Sequence, residues 1–153
     1  MKLIRDLREF IELLISESVP FLVIGGWAYN RYAEPRFTGD IDLFLASDED
    51  TEVRLRKVLR AFGFGAALPP VDRPLSEKKV IMLGRPPHRI DLITGIDGVT
   101  FAEAWLDREP ATLDGLPVQF ISRRHLLQNK RAAARDKDLL DVKVLEAQDA
   151  SER

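Results

Sequence analysis

The chain has 153 residues, 45% of them hydrophobic, which suits a single globular domain over residues 1–153 that buries about 68–70% of its unfolded surface. A net charge of −2 supplies no basic field for DNA or for an anionic membrane, so neither is an expected partner. The lack of cysteine excludes disulfides, thiolate metal sites and a cysteine nucleophile, and fits a reducing, cytoplasmic setting.

In the first eighteen residues Leu3, Leu7, Phe10, Ile11 and Leu14 recur at helical spacing, while Arg5, Asp6, Arg8, Glu9 and Glu12 interrupt them. This predicts an amphipathic helix ending before Pro20 rather than a targeting segment or a membrane span. Phe21 to Ile24 is apolar and β-branched enough for a buried strand, and Gly25-Gly26 ends it where a helix can start. A strand that feeds through glycines into a helix leaves backbone N–H groups open to an anion at the positive end of the helix. Trp27 to Ala33 reads as a short helix that stops before Pro35, with Trp27 and Tyr29 serving either the core or substrate stacking. Arg36 lies on the following loop, four residues before Asp40, where a guanidinium can grip a triphosphate or simply face water.

Asp40-Ile41-Asp42-Leu43-Phe44-Leu45 reads as a strand with both carboxylates on one face. At roughly 6.6 Å between their Cα atoms they can converge on one or two cations. Mg²⁺, which takes one or two carboxylates plus substrate phosphates, would relieve their repulsion; an exposed acidic strand end is the alternative. From Ser47-Asp48-Glu49-Asp50 a capped helix is expected, with Val53, Leu55, Val58, Leu59 and Phe62 toward the core and Arg54, Arg56, Lys57 and Arg60 toward water. Gly63-Phe64-Gly65 ends it, and the loop from Pro69 to Pro74 is either a connection or a lid.

Lys78 to Leu83 and Arg89 to Ile93 read as two hairpin strands that deliver Asp91 to the sheet, where an aspartate between two aliphatics needs a partner. Lys79 and His88 are read as surface groups, with a charge-softening and a proton-carrying role as the alternatives. A short helix over Phe101 to Trp105 and an Asp114-Gly115 hairpin come next, then an edge strand from Pro117 to Ile121. Ser122 caps a helix to about Ala134, and a last helix runs from about Asp136 to Ala147. On that helix Asp138 and Asp141 share a face, and Lys137 can pair with Asp141.

Gly25-Gly26-Trp27, the Asp40-x-Asp42 pair and the later Asp91, in this order and spacing, resemble the signature of the DNA polymerase β-like nucleotidyltransferase superfamily. Within it, GGWAYNRYAEPRFTGDIDL is most similar to the small aminoglycoside and lincosamide nucleotidyltransferases and to nucleotidyltransferase-like proteins of bacterial toxin–antitoxin systems. The resemblance implies an α/β (α+β) minimal nucleotidyltransferase fold, a small mixed sheet of segments 21–24, 40–45, 78–83, 88–93 and 116–121 flanked by helices. It also implies Mg²⁺-dependent transfer of a nucleoside monophosphate from an NTP such as ATP to a hydroxyl, on a small molecule such as an antibiotic or on tRNA or protein. Two Mg²⁺ would be held by Asp40, Asp42 and Asp91, and Asp91 would also take the hydroxyl proton. Gly25, Gly26, Trp27, Arg36 and Lys130 would hold the nucleotide, while Arg135 with Asp138 would hold the last two helices together. A cognate antitoxin or toxin, or a second copy of the chain, is the expected partner. The alternative of another class is a non-catalytic binding module on the same fold.

Overall fold

The structure is a computed structural model that describes residues 3–65, 68, 70, 73–75, 79–85 and 88–151. Lys78 and, in the Pro69–Pro74 loop, Pro69, Val71 and Asp72 lie outside the described residues, as do the start of one expected strand and half of the expected lid.

Helix α1 (Arg5–Ser16) buries Leu7, Phe10, Ile11 and Leu14, the stripe its spacing predicts. Strand β1 (Phe21–Ile24) is buried along its whole length and passes directly into α2 (Gly25–Tyr32). Strand β2 (Ile41–Leu45) begins one residue after Asp40, and α3 (Glu49–Ala61) is capped by Asp48, whose carboxylate accepts the Thr51 N–H at 2.8 Å. Then come β3 (Val80–Leu83), β4 (Ile90–Ile93) and α4 (Phe101–Leu106), the last held at its start by a reciprocal Thr100–Glu103 capping box. Strands β5 (Glu109–Leu113) and β6 (Leu116–Phe120) form the Asp-Gly hairpin, with both turn residues at positive φ, 49° and 80°. Ser122 caps α5 (Arg123–Ala133), and α6 (Asp136–Ser151) follows after a left-handed Ala134.

The strands make one mixed sheet in the order β3-β4-β2-β1-β6-β5, so the chain has an α/β fold. β1 runs antiparallel to β2, whereas β2 and β4 are parallel. Parallel neighbours cannot be joined by a tight turn, and α3 makes the crossover. Apart from Asp42 and Asp91, the central strands are apolar and almost wholly buried, as strands covered on both faces are. Phe10 of α1 meets Phe62 edge-to-face at 5.1 Å, and Phe44 of β2 meets Phe101 of α4 in the same way at 5.3 Å.

Three expectations are corrected. β6 is not an edge strand: it lies between β1 and β5, and the outermost strand on that side is β5, which carries Pro110. Pro117 is tolerated because β1 pairs with β6 only near its far end, at Val23 and Phe120, so no ladder bond is asked of it. β5 itself is a sixth strand, hidden in the sequence because Glu109-Pro110 breaks the apolar pattern. On α3, Arg56 is buried while Val53 is 58% exposed. The Arg56 guanidinium bonds the Glu52 carboxylate and the carbonyls of Pro70 and Arg73, so it anchors the chain folded over it.

Candidate active site

The β1–α2 junction fixes one wall of the site. Gly25 has φ +64°, and a Cβ there would stand 2.2 Å from Asp42 Oδ2; a Cβ on Gly26 would stand 2.6 Å from Thr38 Oγ1. Glycine at both positions is therefore a packing requirement that lets the α2 N-terminus lie directly against the acidic strand. No side chain caps that helix end, and Gly25 and Gly26 line the cleft.

Asp42 is paired in register with Ile24 on one side and with Asp91 on the other. Side chains of registered neighbours point to the same face, so Asp42 and Asp91 stand side by side on adjacent parallel strands. Burial pushes the Asp42 carboxyl up to about 6, helped by the negative charge of Asp91, a hydrogen bond with it, and the charge of Asp40. Asp40 lines the same cleft as this pair.

A cation the sequence reading missed lies among them. Arg89 Nε and Nη2 grip the Asp91 carboxylate at 2.7 and 3.0 Å, Nη2 lies 3.5 Å from Asp40 Oδ2, and the Arg89 backbone N–H donates to Asp40 Oδ1 at 3.2 Å. The alternation that puts Asp40 and Asp42 on one face also puts Arg89 and Asp91 on one face, and that was the available signal. Among the described residues no three acids or histidines form a ready metal cage. The donor set nonetheless suits a hard divalent cation in its chemistry, since three carboxylates face one guanidinium and the charge of Arg89 offsets only part of the burial and repulsion at Asp42.

The opposite wall comes from α5 and α6. Lys130 is buried, with Nζ 2.7 Å from Asp141 Oδ2 and 3.8 Å from Asp138 Oδ1. Arg36 reaches the same Asp141 carboxylate with both terminal nitrogens, at 2.8 and 2.9 Å, and lies 3.8 Å over the Tyr29 ring. Asn30 pins the Arg36 backbone through two hydrogen bonds at 2.8 and 3.0 Å. Asp141 thus pairs with Arg36 and Lys130 and not with Lys137, because both acids of the Asp-x-x-Asp face are buried rather than on a solvated surface. Burial alone raises the Asp141 carboxyl, but the hydrogen bonds from Arg36 and Lys130 outweigh it and hold the group below its ordinary value. Asp138 follows the same balance, with Arg135, in the link just before α6, gripping it at 2.7 Å within the first turn of that helix.

Gly25, Gly26, Arg36, Asp40, Asp42, Asp91 and Lys130 all line one cleft of about 840 Å³, together with Arg89, Phe37, Arg135 and Lys137. Trp27 does not line it; its ring packs on the core. Tyr29 is also buried, and its ring lies under Arg36 at 3.8 Å and under Lys130 at 5.9 Å. His88 and Lys79 are exposed and do not line the cleft.

No family model and no curated protein matches the sequence. Solved structures do. The solution structure of the antibiotic-resistance factor ANT(2'')-Ia aligns over 97% of this chain and 89% of its own length, at 15% identity and a TM-score of 0.57. The chain has the nucleotidyltransferase fold. The crystal structure of ANT(2'')-Ia in complex with adenylyl-2''-tobramycin aligns over 95% of this chain and 88% of that one, at 16% identity and a TM-score of 0.58. Lincomycin-bound LnuA, a lincosamide antibiotic adenylyltransferase, aligns over 94% and 96%, at 14% identity and a TM-score of 0.53. At these identities the nucleotidyltransferase fold is what is shared. No helix among the described residues is long and apolar enough to cross a membrane.

Proposed function

We propose that the chain transfers a nucleoside monophosphate from an NTP to a hydroxyl acceptor in a Mg²⁺-dependent reaction. The observation that carries this is the register pairing of Asp42 with Asp91 in a cleft that also receives the uncapped, double-glycine start of α2. Asp40, Asp42 and Asp91 would hold the divalent cations, which when bound activate the attacking hydroxyl and neutralise charge on the phosphates. The Gly25 and Gly26 backbone binds the β- and γ-phosphates. The acceptor oxygen attacks the α-phosphorus, the bond to the β-phosphate oxygen breaks, and pyrophosphate leaves toward the basic wall of Lys130, Arg135 and Lys137. Asp91 takes the hydroxyl proton.

The nucleotidyltransferase fold of two antibiotic-modifying enzymes supports a small hydroxylated antibiotic as acceptor; tRNA or a protein hydroxyl is the competing choice. A second reading, a non-catalytic module or toxin–antitoxin component, draws on one observation: Lys130 and Arg36 are already satisfied by Asp141. Incubation with labelled NTPs, Mg²⁺ and separate pools of tobramycin, lincomycin, bulk tRNA and protein identifies the acceptor. Asp42→Asn should abolish labelling while the circular-dichroism melt stays cooperative. A variant that still labels removes Asp42 from the chemistry, and absence of NTP binding by calorimetry supports the module.

A further inference from the structure

Arg89 stands where the proposed reaction needs a cation, and the fold has fixed half of it. Its carbonyl accepts the Ile41 N–H at 3.1 Å and its own N–H donates to Asp40, so the backbone is part of the β2–β4 ladder. Its side chain, by contrast, is 29% exposed at the mouth of the cleft, while the Asp91 carboxylate that it grips is only 11% exposed. A bidentate guanidinium on a mostly buried carboxylate is a strong pairing, and a buried carboxylate stripped of its partner is costly. The cation beside Asp91 in this structure is Arg89.

The same contact conflicts with the reaction. A divalent cation shared by Asp42 and Asp91 would bind the carboxylate that Arg89 now holds through both oxygens, and the Arg89 tip also lies against Asp40. Two positive charges on the same three acids repel, so loading the site favours movement of the guanidinium away from them. The exposure of its side chain gives it a path into solvent without disturbing the strand.

We propose that Arg89 is a resident counter-ion of the acid cluster, which holds Asp91 and Asp40 in the metal-free protein and is exchanged for a divalent cation when the site loads. Arg89 is a positioning residue in this account; it sets the threshold of metal concentration at which the cleft becomes competent. The inference rests on the nucleotidyl-transfer reading, and its test does not use turnover.

Binding of Mn²⁺ without nucleotide is followed by electron paramagnetic resonance of the free ion, in the wild type, Arg89→Gln and Arg89→Lys. Losing a charge-assisted pair that competes with the metal should tighten Mn²⁺ binding in the glutamine variant on the order of tenfold, with lysine in between. Equal or weaker binding in the glutamine variant overturns the proposal. A second measurement covers the case in which that variant does not fold. In the wild type the Arg89 Nε–H resonance, protected in the bidentate pair, should move and exchange faster as Mg²⁺ is added; a resonance unchanged at saturating Mg²⁺ overturns the exchange. If neither the wild type nor the glutamine variant takes up Mn²⁺, the reading of the acids as a cation site fails as well. If both take it up equally, only the role of Arg89 does.

Discussion

The raised Asp42 carboxyl makes a prediction about stability that can be worked through. Below its ordinary value of 3.8 the group is protonated in the folded and the unfolded chain alike and contributes nothing. Between 3.8 and about 6 the unfolded chain ionises while the fold retains its proton, so stability falls as pH rises through this window. Above about 6 the folded carboxyl is ionised against burial and against Asp91 and Asp40, and the penalty is complete. At about 1.4 kcal/mol for each tenfold change in the protonation equilibrium, the full effect is about 3 kcal/mol, and partial exposure of the group reduces it to about 2 kcal/mol. Asp42→Asn removes the ionisation. In EDTA at pH 7 the variant should be more stable than the wild type by about 2 kcal/mol, a rise in Tm of about 4–8 °C for a domain of this size. At pH 4 the two should converge, and Mg²⁺ should narrow the gap at pH 7 by stabilising the wild type. Urea unfolding in EDTA from pH 4 to 8 measures this directly. A variant no more stable than wild type at pH 7, or a gap that does not change with pH, refutes the argument that burial and the neighbouring acids destabilise the ionised Asp42.

Gly25→Ala combines left-handed backbone strain, about 1–2 kcal/mol, with a Cβ placed 2.2 Å from Asp42 Oδ2. Gly63→Ala, at φ +98° with nothing within 4 Å, carries backbone strain alone, so the Gly25 variant should unfold at lower urea and lose transfer while the Gly63 variant keeps it. Equal loss of transfer in both would show that the close approach to Asp42 does not matter. Asp141→Asn should cost about 3 kcal/mol in urea unfolding, because it leaves Lys130 and Arg36 around a neutral amide, and Lys130 has only Asp138, 3.8 Å away, to replace it. The acid-side stability that Asp141 contributes, present above the ordinary carboxylate value and lost as pH falls through its depressed one, should vanish with it. An acid-unfolding midpoint identical to wild type would place the Arg36–Asp141–Lys130 network at the surface in solution.

Local sequence determined every helix, the strands other than β5, and where the reactive groups stand along them. The apolar run to Ile24, the glycines after it and the alternation of Asp40 and Asp42 are features of period and chirality, which hold whatever lies across the sheet. Asp114-Gly115 and the Ser122 cap are of the same kind, since the backbone geometry of a tight turn or a helix start is met by residues in sequence contact. What the chain alone did not decide was pairing. That β6 would be interior, that Asp42 would stand opposite Asp91 with Arg89 between them and Asp40, and that Asp141 would turn inward to Arg36 and Lys130 all depend on which segments meet. The partner of a charged side chain is set by distance in space, and Arg36 and Asp141 are 105 residues apart in the chain. A helix face of alternating charge reads the same whether water or a buried lysine lies over it, and only the packing of α6 on α5 separated the two.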